Sequence, residues 1–275
     1  MKISISAYNQ WLSCPHAAWW QHNQRTWAPP GRALTLGTAL HKYMEALLLE
    51  QPAPEMPLLD PEDVRYYEQF VAAVPKDFMA QEGLKVWQDS KGEPAVEIAL
   101  SYEVSGGVQL VGRLDAIVED MDGRLWSLQW KTVGKGKPIG GELAKILHSH
   151  HEMTYQWLAV QSGITLAGTL LGTFRKLSKK DAEAGVPVFA LHRLERDYAD
   201  VVKFMARDLF PQLSRMHSDM YYSGPAPRNW LSCFGFYGNS RCPLFDMCHL
   251  GIPGDCLPLV PMEERYDDLE SRDSA

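Results

Sequence analysis

Apolar positions change period along the chain, and the changes divide it into blocks. From the amino terminus, Tyr8, Trp11, Leu12, Ala18 and Trp19 recur at helical spacing, which predicts a helix from Ser4 or Ser6 to about His22. Trp27-Ala28-Pro29-Pro30-Gly31 breaks it, and a second helix is expected from about Thr35 to Leu49. After a proline-rich loop from Pro52, a third helix runs from Pro61 to about Ala80, with Pro75 as an interruption. The period then falls to two. Strands are expected over Leu84 to Gln88, Ala95 to Tyr102, Val108 to Glu119 and Leu125 to Thr132. Beyond them come a long helix from Gly141 to about Gln161, strands over Leu166 to Phe174 and Val186 to Arg193, and a last long helix from Asp197 to about Tyr222. From Ser223 the chain reads as loop, and the charged segment 263–275 as disorder.

The most informative stretch is the pair Val111-Gly112-Arg113-Leu114-Asp115-Ala116-Ile117-Val118 and Leu125-Trp126-Ser127-Leu128-Gln129-Trp130-Lys131-Thr132. Asp122-Gly123 between them is a strong hairpin signal, so the two read as adjacent antiparallel strands. Side chains alternate along a strand, so Gln129 and Lys131 leave one face together, and Asp115 points to the same spot from the neighbouring strand. A carboxylate, an amide oxygen and an ammonium gathered there suit a hard divalent cation with a water beside it.

Composition sets limits on this picture. A chain of 275 residues with 45% hydrophobic content supports one sizeable α/β domain, expected over 1–262. The net charge of −7 gives no global sign of a nucleic-acid binder, yet bases gather locally at Lys135, Lys137, Arg175 and Lys176. No apolar run is long enough for a membrane span and no signal-peptide pattern opens the chain, which gives a cytoplasmic expectation with no membrane partner. In a reducing compartment five cysteines point to metal binding before disulfides.

An Asp on one strand followed by (Asp/Glu)-x-Lys on the next resembles the PD-(D/E)XK nuclease superfamily, and its RecB-like branch in particular. That resemblance implies a restriction-endonuclease-like α/β fold, a mixed central sheet flanked by helices, and Mg2+- or Mn2+-dependent cleavage of DNA. It also brings in His41, in the small-residue helical context Gly37-x-x-x-His41, as a metal ligand beside Asp115 and position 129. Asp115, Gln129 and Lys131 become the catalytic set, and Gln156, from a following helix, joins it. Glu97 on an upstream strand is a further candidate. Gln129 stands where the family has an acid. An amide oxygen can ligate a cation but brings no charge, so the chain either uses Gln naturally or carries a Glu→Gln substitution.

Cys233-x8-Cys242-x5-Cys248, with Cys14 far upstream, resembles the iron–sulfur staple of AddB-type and CRISPR-associated RecB-like nucleases. The resemblance implies a 4Fe–4S cluster tying the first helix to the tail 228–256, with structural zinc as the alternative ligand of the same thiolates. Trp19, Trp20, Trp27, Trp130 and Phe174 are candidate stacking surfaces for unpaired bases. The expectation is therefore a DNA exonuclease of phage or bacterial recombination and repair, acting on DNA with single-stranded character, with or without a helicase or recombinase partner. The alternative is a DNA-binding or assembly protein that kept the fold without catalysis.

Overall fold

The computed structural model describes residues 2–23, 32–56, 59–105, 107–135, 137, 139–147 and 149–221. The chain divides into two compact units, one of residues 1–30, 103–111 and 206–275, the other of 31–102 and 112–205.

The larger unit carries most of a mixed sheet. Its strands are β2 (Leu84–Val86), β3 (Val96–Ser105), β4 (Val108–Asp120), β5 (Leu125–Val133), β6 (Leu166–Arg175) and β7 (Phe189–Glu195); β3 and β4 run on into the smaller unit. β4 and β5 form the expected hairpin, in register from Ala116↔Leu128 to Glu119↔Leu125. Gly123 takes φ +77 at the turn, where a side chain would be strained. β5 and β6 run parallel, so the chain must cross the sheet between them, and α6 (Ile139–Leu147) and α7 (His150–Gln161) make that crossover. β6 and β7 pair antiparallel, and β2 and β3 both pair with β4.

Period-two alternation sorts the strand side chains onto two unlike faces. Ala116, Val118, Trp126, Leu128, Trp130, Leu170 and Phe174 face one apolar cluster with Leu36, Leu40 and Met44 of α3 (Arg32–Leu48) and Tyr66 and Phe70 of α4 (Pro61–Ala73). Phe78 of the short α5 (Phe78–Gln81) closes it, edge-on to Trp130. Removing a ring such as Phe70, wholly buried, would cost about 3–5 kcal/mol. The other face mixes polar side chains with buried apolar ones such as Ile117 and Leu171. Ser127 and Thr169 bond to each other at 3.0 Å, and Thr169 donates to Glu152 of α7 at 3.0 Å.

The smaller unit begins with β1 (Lys2–Ser4), parallel to Gln109–Val111 of β4. Ser4 ends the strand and caps α1 (Ile5–Ser13), its hydroxyl accepting from Ala7 N–H at 3.2 Å. Cys14 separates α1 from α2 (Pro15–Asn23), so the one long helix expected here is two. Tyr8 donates to Gln212 of α10 (Phe210–Tyr221) at 2.8 Å.

Three further expectations differ from the structure. The helix expected over 141–161 is two, because Ser149 opens α7 as an N-cap, accepting from Glu152 N–H. Lys179–Glu183, a charge run that reads as a solvated turn in the sequence, forms a short helix, α8, opened by a reciprocal Ser178–Asp181 capping box. The last long helix is divided into α9 (Tyr198–Phe204) and α10 by a π-helical segment, Met205–Leu209. Among the described residues no helix is long and apolar enough to cross a membrane.

Candidate metal centre

The larger unit gathers its chemistry at one end of the β4–β5 ladder. Just beyond the Ala116↔Leu128 pair, Asp115 Oδ2 accepts from the backbone N–H of Trp130 at 2.8 Å. The carboxylate is thus fixed by a main-chain donor rather than a flexible side chain. Its other oxygen, Oδ1, lies 3.3 Å from His41 Nδ1. α3 holds His41 in place by burying Leu36, Ala39, Leu40, Tyr43 and Met44, which leaves the imidazole half-exposed at the helix's edge. A Cβ at Gly37 would meet nothing within 4 Å, so close packing does not explain the glycine one turn before His41.

Glu97 of β3 completes the group. Ligand atoms of His41, Glu97 and Asp115 all lie within 4.8 Å of one another. Glu97 has φ +53, a left-handed conformation that a non-glycine residue adopts at a cost of about 1–3 kcal/mol. Strain of that kind marks a side chain held where the surrounding structure requires it. Arg113 Nη1 approaches Glu97 Oε2 at 3.5 Å.

The charges are crowded. Burial, and then the nearby Asp115 carboxylate, push the Glu97 carboxyl up to about 6 against the opposing pull of Arg113. Burial by itself would lower the His41 pKa, but the hydrogen bond and charge of Asp115 outweigh it and raise it above the usual imidazole range. Two carboxylates crowded together beside an imidazole make an arrangement that a divalent cation, taking the place of the shared proton, would relieve. One nitrogen and two carboxylate donors, spaced so that a single ion touches all three, suit Mg2+ or Mn2+.

Gln129 and Lys131 leave the same face of β5. Gln129 is 3% exposed, and its Nε2 has no hydrogen-bond partner among the described residues. A buried amide donor left unpaired costs about 1–3 kcal/mol. A carboxylate of the same shape would orphan no donor there.

The model of the PD-(D/E)XK nuclease superfamily matches residues 2–249. The chain belongs to that superfamily. A solved structure described as the crystal structure of SSO0001 has a TM-score of 0.40 with this PD-(D/E)XK chain, at 14% identity over 91% of this chain and 87% of that one. No curated protein matches it.

Two residues of α7 outside the expected site set lie close enough to these groups to feel their charges. Tyr155 and His151, four apart on α7, share a helix face and stack with ring centroids 5.8 Å apart and an interplanar angle of 6°. Burial raises the Tyr155 pKa, and the charges of Glu152, Asp115 and Glu97 raise it further, so the phenol stays neutral. His151 is pushed down to about 4 by burial and then by the Lys131 and His150 charges, so it too is neutral near pH 7. In the sequence, Tyr155-Gln156 falls where the family resemblance expects a site-facing helix, while the run containing His148, His150 and His151 reads as a solvated helix face.

Other expected site residues lie elsewhere. Gln156 is buried, with Nε2 donating to Leu166 C=O at 3.1 Å and Oε1 accepting from Arg196 at 3.4 Å. It braces α7 against β6, and its neighbour Tyr155 faces Asp115 and Glu97 instead. The ammonium of Lys176 pairs with the buried Asp63 at 3.0 Å and lies 4.8 Å from the centre of the Tyr66 ring, so its charge is largely taken. Arg175 approaches the Lys137 carbonyl at 3.5 Å, while Lys135 is exposed. Trp130 and Phe174 are core residues, 1% and 0% exposed, and offer no stacking surface. Cys14 is buried; Cys233, Cys242 and Cys248 lie outside the described residues.

Proposed function

We propose that the chain is a Mg2+- or Mn2+-dependent deoxyribonuclease. The observation that carries this reading is the convergence of His41, Glu97 and Asp115 ligand atoms within 4.8 Å in a member of a nuclease superfamily. When bound, the cation supplies a polarised phosphoryl oxygen and an acidified water. Asp115, fixed by the Trp130 N–H, and Glu97, held in a strained conformation, bind it with His41. Lys131 presents a positive charge to the scissile phosphate, where negative charge grows as water attacks. The neutral Tyr155 and His151 wall the site on the α7 side and orient the substrate without adding charge.

The finer reading is a DNA exonuclease of phage or bacterial recombination and repair, acting in the cytoplasm with a helicase or recombinase as partner. Cys14, Cys233, Cys242 and Cys248 would hold a 4Fe–4S cluster, or zinc in its place. Gln129 specifically favours a second reading, a DNA-binding protein that retains the fold and lacks catalysis.

The test separates binding from chemistry. Calorimetric titration of Mn2+ should give one site that Asp115→Ala abolishes. Lys131→Met should keep that site yet lose at least about a hundredfold in cleavage rate. Equal cation binding by wild type and Asp115→Ala would overturn the assignment.

A further inference from the structure

A cavity of about 610 Å³ opens in the larger unit between α4 and the β6–α8 connection, and none of His41, Glu97 and Asp115 lines it. Its volume falls in the range of about 300–1,000 Å³ typical of sites for small organic ligands. Three cations line it, Arg65, Lys135 and Lys179, and no acid does. Arg65 and Lys135 make no ion pair among the described residues; Arg65 lies 5.3 Å from the centre of the Tyr66 ring. Lys179 approaches Glu183 only at 3.9 Å, with both side chains exposed, an interaction worth little. The nearby Lys176 contributes no free charge because Asp63 holds it.

The rest of the lining is of another kind. Leu177, Val188 and Ala72 give the cavity an apolar floor beneath its cationic rim, with the edge of the largely buried Tyr66 behind them. Anions alone do not need such a floor, and a purely apolar ligand does not need three cations. A nucleotide presents both surfaces, a phosphate and an aromatic base. The base must be unpaired to reach the floor, because in a duplex its faces are stacked on neighbouring pairs.

Continuity of chain ties the cavity to the metal centre. Lys135 lies four residues after Lys131, so their Cα atoms are no more than about 14 Å apart. We propose that this cavity takes one unpaired nucleotide of the strand flanking the bond to be cut, with its phosphate toward Arg65, Lys135 and Lys179 and its base on the apolar floor. The proposal rests on the nuclease reading and assigns to this cavity the recognition of the single-stranded character expected of the DNA.

Fluorescence anisotropy with a labelled single-stranded oligonucleotide, with calcium as the divalent cation, tests it across a salt series. Arg65→Ala/Lys135→Ala should weaken binding about tenfold and reduce the slope of log K against log salt by about 1.4, or ~0.7 for each phosphate no longer neutralised. Ala72→Trp lies on the exposed face of α4 and fills the cavity without removing charge; it should weaken binding about fivefold and leave the slope unchanged. If both variants bind like the wild type while the wild type binds and cleaves DNA, the cavity assignment fails and the nuclease reading stands. An equal loss on a blunt duplex would overturn the assignment to an unpaired nucleotide. If the wild type binds no DNA and Gln129→Glu cuts none, both fall together.

Discussion

At position 129 a buried amide nitrogen has no hydrogen-bond partner among the described residues, and the register that pairs Ala116 with Leu128 sets this position across from Asp115. The Gln129→Glu exchange removes the orphaned donor but adds a third acid to a site where Glu97 is already pushed up to about 6. Without a cation the variant should melt below the wild type. At a Mn2+ concentration a hundred times the variant's dissociation constant it should gain about 2.7 kcal/mol, more than the wild type gains at that same concentration. Melting curves with and without Mn2+ check both signs, and a variant insensitive to Mn2+ would contradict the ligand role of this position. The strand positions of Asp115, Gln129 and Lys131 were legible in the sequence because strand alternation is a local rule. Glu97 was legible only as a candidate, since neither its left-handed backbone nor its approach to Asp115 follows from neighbours in the chain. Tyr155 and His151 depend on which face of α7 meets the sheet, which only packing decides.

At the scale of elements, the β4–β5 hairpin holds Asp115 in position, and Asp120 organises its turn. The Asp120 carboxylate accepts from the backbone N–H groups of Asp122 and Arg124, from Arg124 Nε and from Trp126 Nε1, each at 3.0 Å. Burial opposes its ionisation, but these donors outweigh burial and hold its pKa below the usual carboxylate range. The folded state therefore binds fewer protons than the unfolded chain between the depressed pKa and about 4. The stabilisation is present above that window and lost as pH falls through it. Urea unfolding across acidic pH should show a slope that Asp120→Asn flattens. α7 offers a second test. A Cβ at Gly112 would lie 2.7 Å from the Tyr155 ring, so Gly112→Ala should displace α7, destabilise the chain by about 1–3 kcal/mol and impair cleavage. Unaltered stability and activity would show that α7 does not pack this closely. The hairpin was readable because Asp122-Gly123 and period-two alternation agree. β1 was not, because three residues are too few to display a period and their pairing partner lies more than 100 positions away in the chain. The break before α7 fell inside a continuous helical pattern, with Ser149 its one local sign.

At the scale of the whole molecule, the mixed sheet and its flanking helices follow from the order of periods along the chain, and residues 2–249 match one superfamily. The acidic total hides a local cationic rim, which is why net charge alone argued against nucleic acid. The proposed cysteine cluster would join Cys14 to positions more than 200 residues later and so close most of the chain into one loop. Anaerobically purified protein should be brown and bleach on reduction, and Cys14→Ala should lose both the colour and stability; colourless protein containing zinc would favour the zinc alternative. The central claim, a metal-dependent nuclease built on Asp115, is met most directly by one assay. Labelled DNA is incubated with Mn2+ and the wild type, Gln129→Glu, and Gln129→Glu/Asp115→Ala. The account predicts cleavage by Gln129→Glu at or above the wild-type rate, abolished by Asp115→Ala; no cleavage by either of the first two would contradict it.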